Sequence, residues 1–560
     1  MMKRFEITKN FIKENIPILV ILLMLLSYLG FKALNENGWD GWGFGSTQTL
    51  MSSQYWAQDG FIKNYLLFIP RPYSKLIHYF DEPEFRNRVI DDVGGALKRN
   101  RIYYTHYPPL YLVPFAMLAK IGVENRAILR IFSMLISLSA LFLFYLFIQS
   151  LSGRKVAIIA SAYYGLSVTF LNYADSISIQ PFTIFFTFLI LYLSVLAGRL
   201  PAQAGNLENQ KNYRKYTLAV WVSYFALSLS SYDATFFVFA WLVLYDVITL
   251  KKLLWRKWLF WASAPLLGFV LQILQNVWYL GLTNAAGDIY TSYTVRAIGS
   301  LKGFTVGLIT PFVSMTSFKT VFIFKKTIVA LTGAAAIFGI LWKFKQNIGL
   351  DFNYFKIILI LAIAAILQPF FINVTGLWPY QGVLTAPFWG LLIGVSTIFI
   401  IKKLKEKEWS VLKMPFFIML TGVMLLLWSM QLYSTFVYAK DWPNNKPNQQ
   451  VINFSQEIKK LYPNGEKIAF RIIPQNPIWK SSFPTFNMEY YMGMPTIDFA
   501  NTKDLTVDFR WFQNRSKYPF YSFIISENKS DILKISKEIG IQGNIRTIQD
   551  QFVLVIPPQK

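Results

Sequence analysis

Three carboxylates stand at the ends of apolar runs, where an ionisable group is costly and hence a candidate for function. Asp40 lies in Gly38-Trp39-Asp40-Gly41-Trp42-Gly43-Phe44-Gly45. Glycines around a single carboxylate let a ligand approach the backbone closely. Trp39 and Trp42 also read as membrane-interface anchors. Asp175 follows Asn172-Tyr173-Ala174, and Asp233 follows Ser231-Tyr232. Asp233 is equally suited to capping the apolar helix that begins after it. A fourth cluster, Tyr103-Tyr104-Thr105-His106-Tyr107-Pro108-Pro109-Leu110-Tyr111, joins a polar, aromatic stretch to a double proline and an apolar segment. The chain has no cysteine, and His78 and His106 are its only histidines. Thiol catalysis, disulfides and Cys- or multi-His-ligated metals are therefore excluded. Asp81, Glu82, Glu84, Asp91 and Asp92 are expected to pair with neighbouring Lys and Arg. The second outer loop has no Asp-x-Asp pair, so the expected site contains no metal.

These groups need positioning by elements that the hydropathy pattern makes plain. Of 560 residues, 54% are hydrophobic and 15% charged. The apolar residues come in blocks near the roughly 20 residues needed to span a bilayer. The pattern predicts a multi-pass α-helical membrane protein with about eleven crossings. They fall near 16–33, 126–151, 156–172, 179–198, 217–231, 234–249, 258–281, 326–342, 355–372, 383–401 and 414–436. The first is read as a retained helix, since no small-x-small cleavage pattern follows it. Lys3, Arg4, Lys9 and Lys13 place the N-terminus in the cytoplasm. Basic short loops such as Gly153-Arg154-Lys155 and Lys402-Lys403 then alternate consistently to an outer C-terminus. The formal charge of +25 thus reflects the positive-inside bias, and no nucleic-acid partner is expected. The segment 35–125 is a long first outer loop, and 108–121 within it reads as a re-entrant or interfacial helix starting at Pro108. The membrane part is assigned to 1–437. The tail, 438–560, has strand-like 468–473, 520–526 and 552–558 and amphipathic 456–461 and 529–539, which predict a small α/β domain.

The order of these features resembles the type C glycosyltransferases (GT-C fold) of the protein O-mannosyltransferase and aminoarabinose-transferase kind. The resemblance rests on Asp40 in the first outer loop, the His106 to Tyr111 element, Arg130-Ile131-Phe132, the Gly153-Arg154-Lys155 turn and Asp175. It covers about residues 16–250. It departs at Tyr107, which separates His106 from the prolines. It departs again at Leu377-Trp378-Pro379-Tyr380-Gln381-Gly382, which lacks the arginine of an Arg-Tyr pair common in relatives. The resemblance implies transfer of a sugar from a polyprenyl-phosphate donor to a hydroxyl of a glycan, lipid or protein acceptor on the outer face. It implies Asp40 as general base in an inverting transfer, with Asp175 shaping the site. His106, Tyr104, Tyr107, Asp233, Arg296 and Tyr380 then contact donor or acceptor. Arg296, Lys302, Arg71 and Arg101 are the outer cations available to the lipid phosphate. The C-terminal domain is expected to cover the cavity or select the acceptor.

A lipid-oligosaccharide flippase or other transporter is the alternative. It should show ionisable residues deep in helices and inverted repeats, whereas the acids here sit at outer helix ends. A bacterial inner membrane is the expected location.

Overall fold

The computed structural model describes residues 2–35, 43–63, 66–69, 96–98, 101–105, 108–199, 207–297, 339, 352–371, 382–406, 414–441, 446–473, 485–499, 501–514, 520–541 and 543–558. Asp40, His106, Tyr107, Tyr380, Arg71, Lys302 and nearly all of the segment 326–342 lie outside them.

The chain divides into two compact units. The first comprises 1–34, 125–273 and 291–441. Its helices are α1 (Met2–Leu34), α4 (Arg126–Ser152), α5 (Arg154–Gly165), α6 (Val168–Tyr173), α7 (Ile179–Arg199), α8 (Leu207–Ser228), α9 (Thr235–Leu244), α12 (Phe352–Phe371), α13 (Gly382–Glu406) and α14 (Met414–Asp441). Two further helices, α10 (Trp255–Leu280) and α11 (Leu282–Ala297), follow a π-helical turn at Tyr245–Thr249, and their residues 274–290 belong to the second unit. Among the described residues, six helices are long and apolar enough to cross a membrane. These are Asn15–Leu34, Arg126–Ser152, Ile179–Arg199, Trp255–Leu280, Gly382–Leu404 and Phe417–Lys440, with shorter apolar helices at Thr235–Thr249 and Tyr354–Gln368.

The segment expected to cross as one helix at 156–172 is two. The α5 helix ends at Gly165, and Ser167 opens α6 by accepting a hydrogen bond from the Phe170 amide at 3.1 Å. Gly165 leaves room for α1 and α4. A Cβ there would meet Leu25 Cδ1 at 2.8 Å and Leu141 Cδ2 at 3.0 Å. The core of this unit is built from aromatic and small residues, with Phe144, Tyr145, Trp241 and Trp389 fully buried. Hydrophobic driving force between helices is weak in lipid, so close packing at small residues holds them together. Gly390 and Gly394 do this on α13. A Cβ on Gly394 would lie 2.8 Å from both the backbone oxygen and Cγ1 of Val156 on α5. Leu259, Leu266 and Trp278 on α10 and Leu425, Tyr433 and Phe436 on α14 remain exposed, as lipid-facing side chains are.

The second unit comprises 35–124, 274–290 and 442–560. In its first part are α2 (Gly43–Asp59), a hairpin of β1 (Ala96–Lys98) and β2 (Arg101–Tyr103), and α3 (Leu112–Lys120). Its nine residues make α3 about 13 Å long, too short for a hydrocarbon core of about 30 Å. It starts at Leu112 rather than at Pro108. Pro109 disfavours the helical conformation in the residue before it, and Pro109 and Leu110 instead form a turn whose carbonyls accept from the Leu112 and Val113 amides. Trp56 Nε1 donates to the Leu67 carbonyl at 3.0 Å, and Ser52 Oγ donates to that of Ile69 at 2.6 Å.

The C-terminal part is an α/β layer structure. Its sheet has the order β4-β3-β5-β7-β6, formed by β3 (Glu466–Ile472), β4 (Thr496–Phe499), β5 (Phe520–Ser526), β6 (Asn544–Ile548) and β7 (Gln551–Ile556). Strands β4, β3 and β5 are parallel, and β7 is antiparallel to both its neighbours. Helices α15 (Lys446–Leu461) and α16 (Thr485–Met492) bury Phe454, Ile458 and Met488 against Ala469, Phe523 and Val553 on one face. On the other face Phe470 meets Phe509 and Phe512 of α17 (Thr502–Gln513) with ring centroids 5.2 Å apart. Helix α18 (Lys529–Ile539) buries Ile532 and Ile535. The strand-like segments 468–473, 520–526 and 552–558 coincide with β3, β5 and β7. Sequence reading missed β4, β6, α16 and α17.

Candidate functional site

The polar centre of the first unit is built on Asp175, in the connection between α6 and α7. The α6 helix is a single turn and a half, so its last carbonyls and the following backbone need partners from elsewhere. Lys32, in the last turn of α1, supplies them. Its ammonium donates to the Leu171 carbonyl at 2.8 Å, to the Asn172 carbonyl at 3.4 Å and to Asp175 Oδ1 at 2.6 Å. Arg130, five residues into α4, reaches the other carboxylate oxygen. Its Nε lies 2.9 Å from Asp175 Oδ2, and a terminal guanidinium nitrogen bonds the same atom. Lys32, Arg130 and Asp175 are all fully buried. Burial alone would raise the Asp175 pKa, but the Arg130 and Lys32 cations outweigh it and hold the carboxyl below its usual value. Lys32 also sits over the Tyr438 ring, 5.7 Å from its centroid.

Residues of the same segment also line a small cleft of about 20 Å³. Thr169, Phe170, Tyr173 and Ala174 form one wall, and Gln180, Thr183 and Ile184 of α7 another. Tyr164, Asp233, Val383 and Leu384 complete it. The Tyr164 hydroxyl is buried without a hydrogen-bond partner among the described residues. Asp233 is half-buried here, and it is not the cap of α9. That helix has Ala234 at its N-cap with no side-chain bond. Gln368 of α12 does the capping, its Oε1 accepting from the Phe236 and Phe237 amides at 2.9 and 3.2 Å while its Nε2 donates to the Tyr232 carbonyl. The cleft thus has one carboxylate among aromatic, hydroxyl and apolar side chains, and its walls are mostly apolar.

Of the other residues singled out in the sequence, Tyr104 lies in the second unit. Its backbone amide donates to the Phe68 carbonyl at 3.0 Å, and its ring packs 5.8 Å from that of Phe68. It is nearly fully buried. Next to it, the Tyr103 hydroxyl meets that of Tyr279 at 3.1 Å, and Asn276 donates to the Thr105 carbonyl at 3.1 Å. This anchors the strand leading to His106. Arg296 falls in α11, near its end. The structure therefore brings Asp175 and Asp233 into one unit, on and beside the 169–175 segment. Among the described residues no three His, Asp or Glu side chains converge as a metal site would need.

Lys32 escaped sequence reading because it was counted within the first apolar run. A lysine two residues from the end of a membrane helix was the available signal. Arg130 was noted only as part of a motif.

No family model matches the chain, and no curated protein matches it. Solved structures do. The crystal structure of ArnT from Cupriavidus metallidurans bound to undecaprenyl phosphate aligns with 96% of this chain and 97% of its own, at 12% identity and a TM-score of 0.54. The apo form of the same protein gives 13% identity and 0.53. The Archaeoglobus fulgidus oligosaccharyltransferase AglB, in complex with an inhibitory peptide and a dolichol-phosphate, aligns with 94% of this chain and 69% of its own, at 11% identity and 0.50. With its apolar helices, the chain is an integral membrane protein, and it has the fold of the type C glycosyltransferases.

Proposed function

We propose that this protein is a membrane glycosyltransferase that moves a sugar from a polyprenyl-phosphate donor to an acceptor hydroxyl on the outer face of the membrane. The observation that carries the reading is the fold shared end to end with ArnT, whose structure holds undecaprenyl phosphate. In this reading Asp40 takes the proton of the acceptor hydroxyl. The acceptor oxygen bonds to the anomeric carbon as the carbon–oxygen bond to phosphate breaks, and polyprenyl phosphate leaves. Attack opposite the leaving group inverts the anomeric centre. Charge develops on the departing phosphate oxygen, so cations at the outer face serve the step. Arg71, Arg101, Arg296 and Lys302 are the candidates for that role, with His106, Tyr104, Tyr107 and Tyr380 contacting donor or acceptor.

Asp175 takes a different part from Asp40. Both of its oxygens are engaged by buried cations, and a carboxylate held in that way is a poor base. It acts by fixing the 169–175 segment, and Asp233 meets the ligand in the cleft. An N-in, C-out topology puts Asp40, His106, Asp175, Asp233 and the tail on the outer side, in a bacterial inner membrane. The acceptor is a glycan, lipid or protein hydroxyl, and the tail contributes to its selection. The test is release of free polyprenyl phosphate by purified protein supplied with polyprenyl-phosphate sugars and candidate acceptors. Release that depends on acceptor supports the reading, and no release with any donor overturns it.

A further inference from the structure

The 169–175 segment has two sides with different tasks. One side is backbone and carboxylate: the Leu171 and Asn172 carbonyls and Asp175 face Lys32. The other side is the wall of the cleft, made by Thr169, Phe170, Tyr173 and Ala174. The segment cannot hold itself, because α6 has only six residues and isolated helices of that length are unstable. Every residue of the segment is buried, with Phe170, Leu171 and Ala174 in the core of the unit. Tyr438 of α14 donates to the Leu171 carbonyl at 3.4 Å. The Arg130 guanidinium holds Asp175 Oδ2, and Lys32 meets three acceptors of the segment.

We propose that Lys32 is a positioning residue for the transfer reaction. It sets the wall of the cleft from behind, without touching the ligand. This rests on the glycosyltransferase reading for its kinetic consequence, though not for its structural one. Lys32 also sits two residues before the end of α1, so the same ammonium ties the wall to that helix. Arg130 and Asp175 form a neutral pair by themselves. Replacing Lys32 by methionine therefore leaves that pair in place while removing the donor to the wall.

The chain contains no cysteine, which makes a direct test clean. A single cysteine at position 174, introduced as Ala174→Cys, reports on the wall through its rate of modification by a small thiol reagent. In that background Lys32→Met should raise the rate at least tenfold, whereas Lys32→Arg, which keeps a cation able to reach the same oxygens, should stay within threefold of the parent. In the cysteine-free protein, Lys32→Met should raise the KM for the polyprenyl-phosphate sugar about tenfold with a much smaller change in kcat. Lys32→Arg should recover most of the loss. An unchanged thiol rate in Lys32→Met overturns the proposal. So does a variant that only melts at lower temperature and keeps wild-type KM per folded molecule. If Lys32→Met does not fold, Lys32→Gln, which removes the charge but keeps a polar chain, decides it: a thiol rate and KM both identical to the parent would overturn the positioning role. If wild type releases no polyprenyl phosphate from any donor, the transferase reading fails, and the thiol rates still decide whether Lys32 sets the wall.

Discussion

Replacing Asp175 by asparagine should destabilise the protein more than removing either of its cations. Asp175 receives Lys32 Nζ at 2.6 Å and Arg130 Nε at 2.9 Å, and all three side chains have zero exposure. Asp175→Asn leaves two buried cations facing a neutral amide. Breaking a buried pair by removing one partner costs about 3–5 kcal/mol, and here one change breaks two pairs. The expected loss is therefore at or above the top of that range. Lys32→Met leaves the Asp175–Arg130 pair intact and forfeits charged hydrogen bonds, each worth about 1.5–3 kcal/mol, partly offset by the apolar chain that fills the space. The predicted order of stability is wild type, then Lys32→Met, then Asp175→Asn. Thermal unfolding of the purified variants in one detergent, followed by intrinsic tryptophan fluorescence, reads that order. If Asp175→Asn melts with wild-type behaviour yet abolishes transfer, the carboxylate is a reacting group and the structural role argued for it is wrong.

The same triad makes a pH prediction. The folded pKa of Asp175 is depressed by Arg130 and Lys32 relative to an unfolded value of about 3.9. Its contribution to stability is thus fully present above that value and is lost as pH falls through the folded pKa. The stability gap between wild type and Asp175→Asn should be constant above about pH 3.9 and close as pH falls from there through the lower folded pKa. On α13, Gly394→Ala must push against the Val156 backbone oxygen at 2.8 Å, and overpacking of this kind costs about 1–3 kcal/mol. Gly422→Ala on α14, with nothing within 4 Å of the added carbon, should unfold like wild type in the same assay. In the C-terminal sheet, Phe470→Ala removes a fully buried ring that meets three others. It should lower stability by about 3–5 kcal/mol in denaturant titrations monitored by Trp511 fluorescence.

The elements that were legible in the sequence are those specified by local pattern. The long apolar runs at 126–151, 179–198 and 258–281 became α4, α7 and α10 with shifts of a few residues, because a continuous apolar block in lipid has no alternative to helix. The break between α5 and α6 was not legible. One glycine and one serine do little to the mean hydropathy of an apolar run, while the break shows in the Ser167 cap that opens α6. The cap of α9 was read as local, through Asp233, when the bond comes from Gln368, more than 130 residues away. The same distance hid the Asp175 site. Lys32 is 143 residues from its carboxylate, and its charge was absorbed into the average of an apolar helix. The strand β4 was missed because four residues carry too little alternation, although its parallel pairing with β3 makes it the edge of the sheet.

The account stands or falls on Asp40. The most direct measurement is the rate of polyprenyl phosphate release from a polyprenyl-phosphate sugar by purified wild type and Asp40→Asn, at equal folded concentration and with saturating acceptor. General-base catalysis is worth about 10²–10⁴-fold. Wild type should therefore turn over, and Asp40→Asn should lose at least a hundredfold in kcat with unchanged unfolding temperature. Full activity in Asp40→Asn would contradict the assignment of the base, and absence of turnover in the wild type with every polyprenyl-phosphate sugar would contradict the function itself.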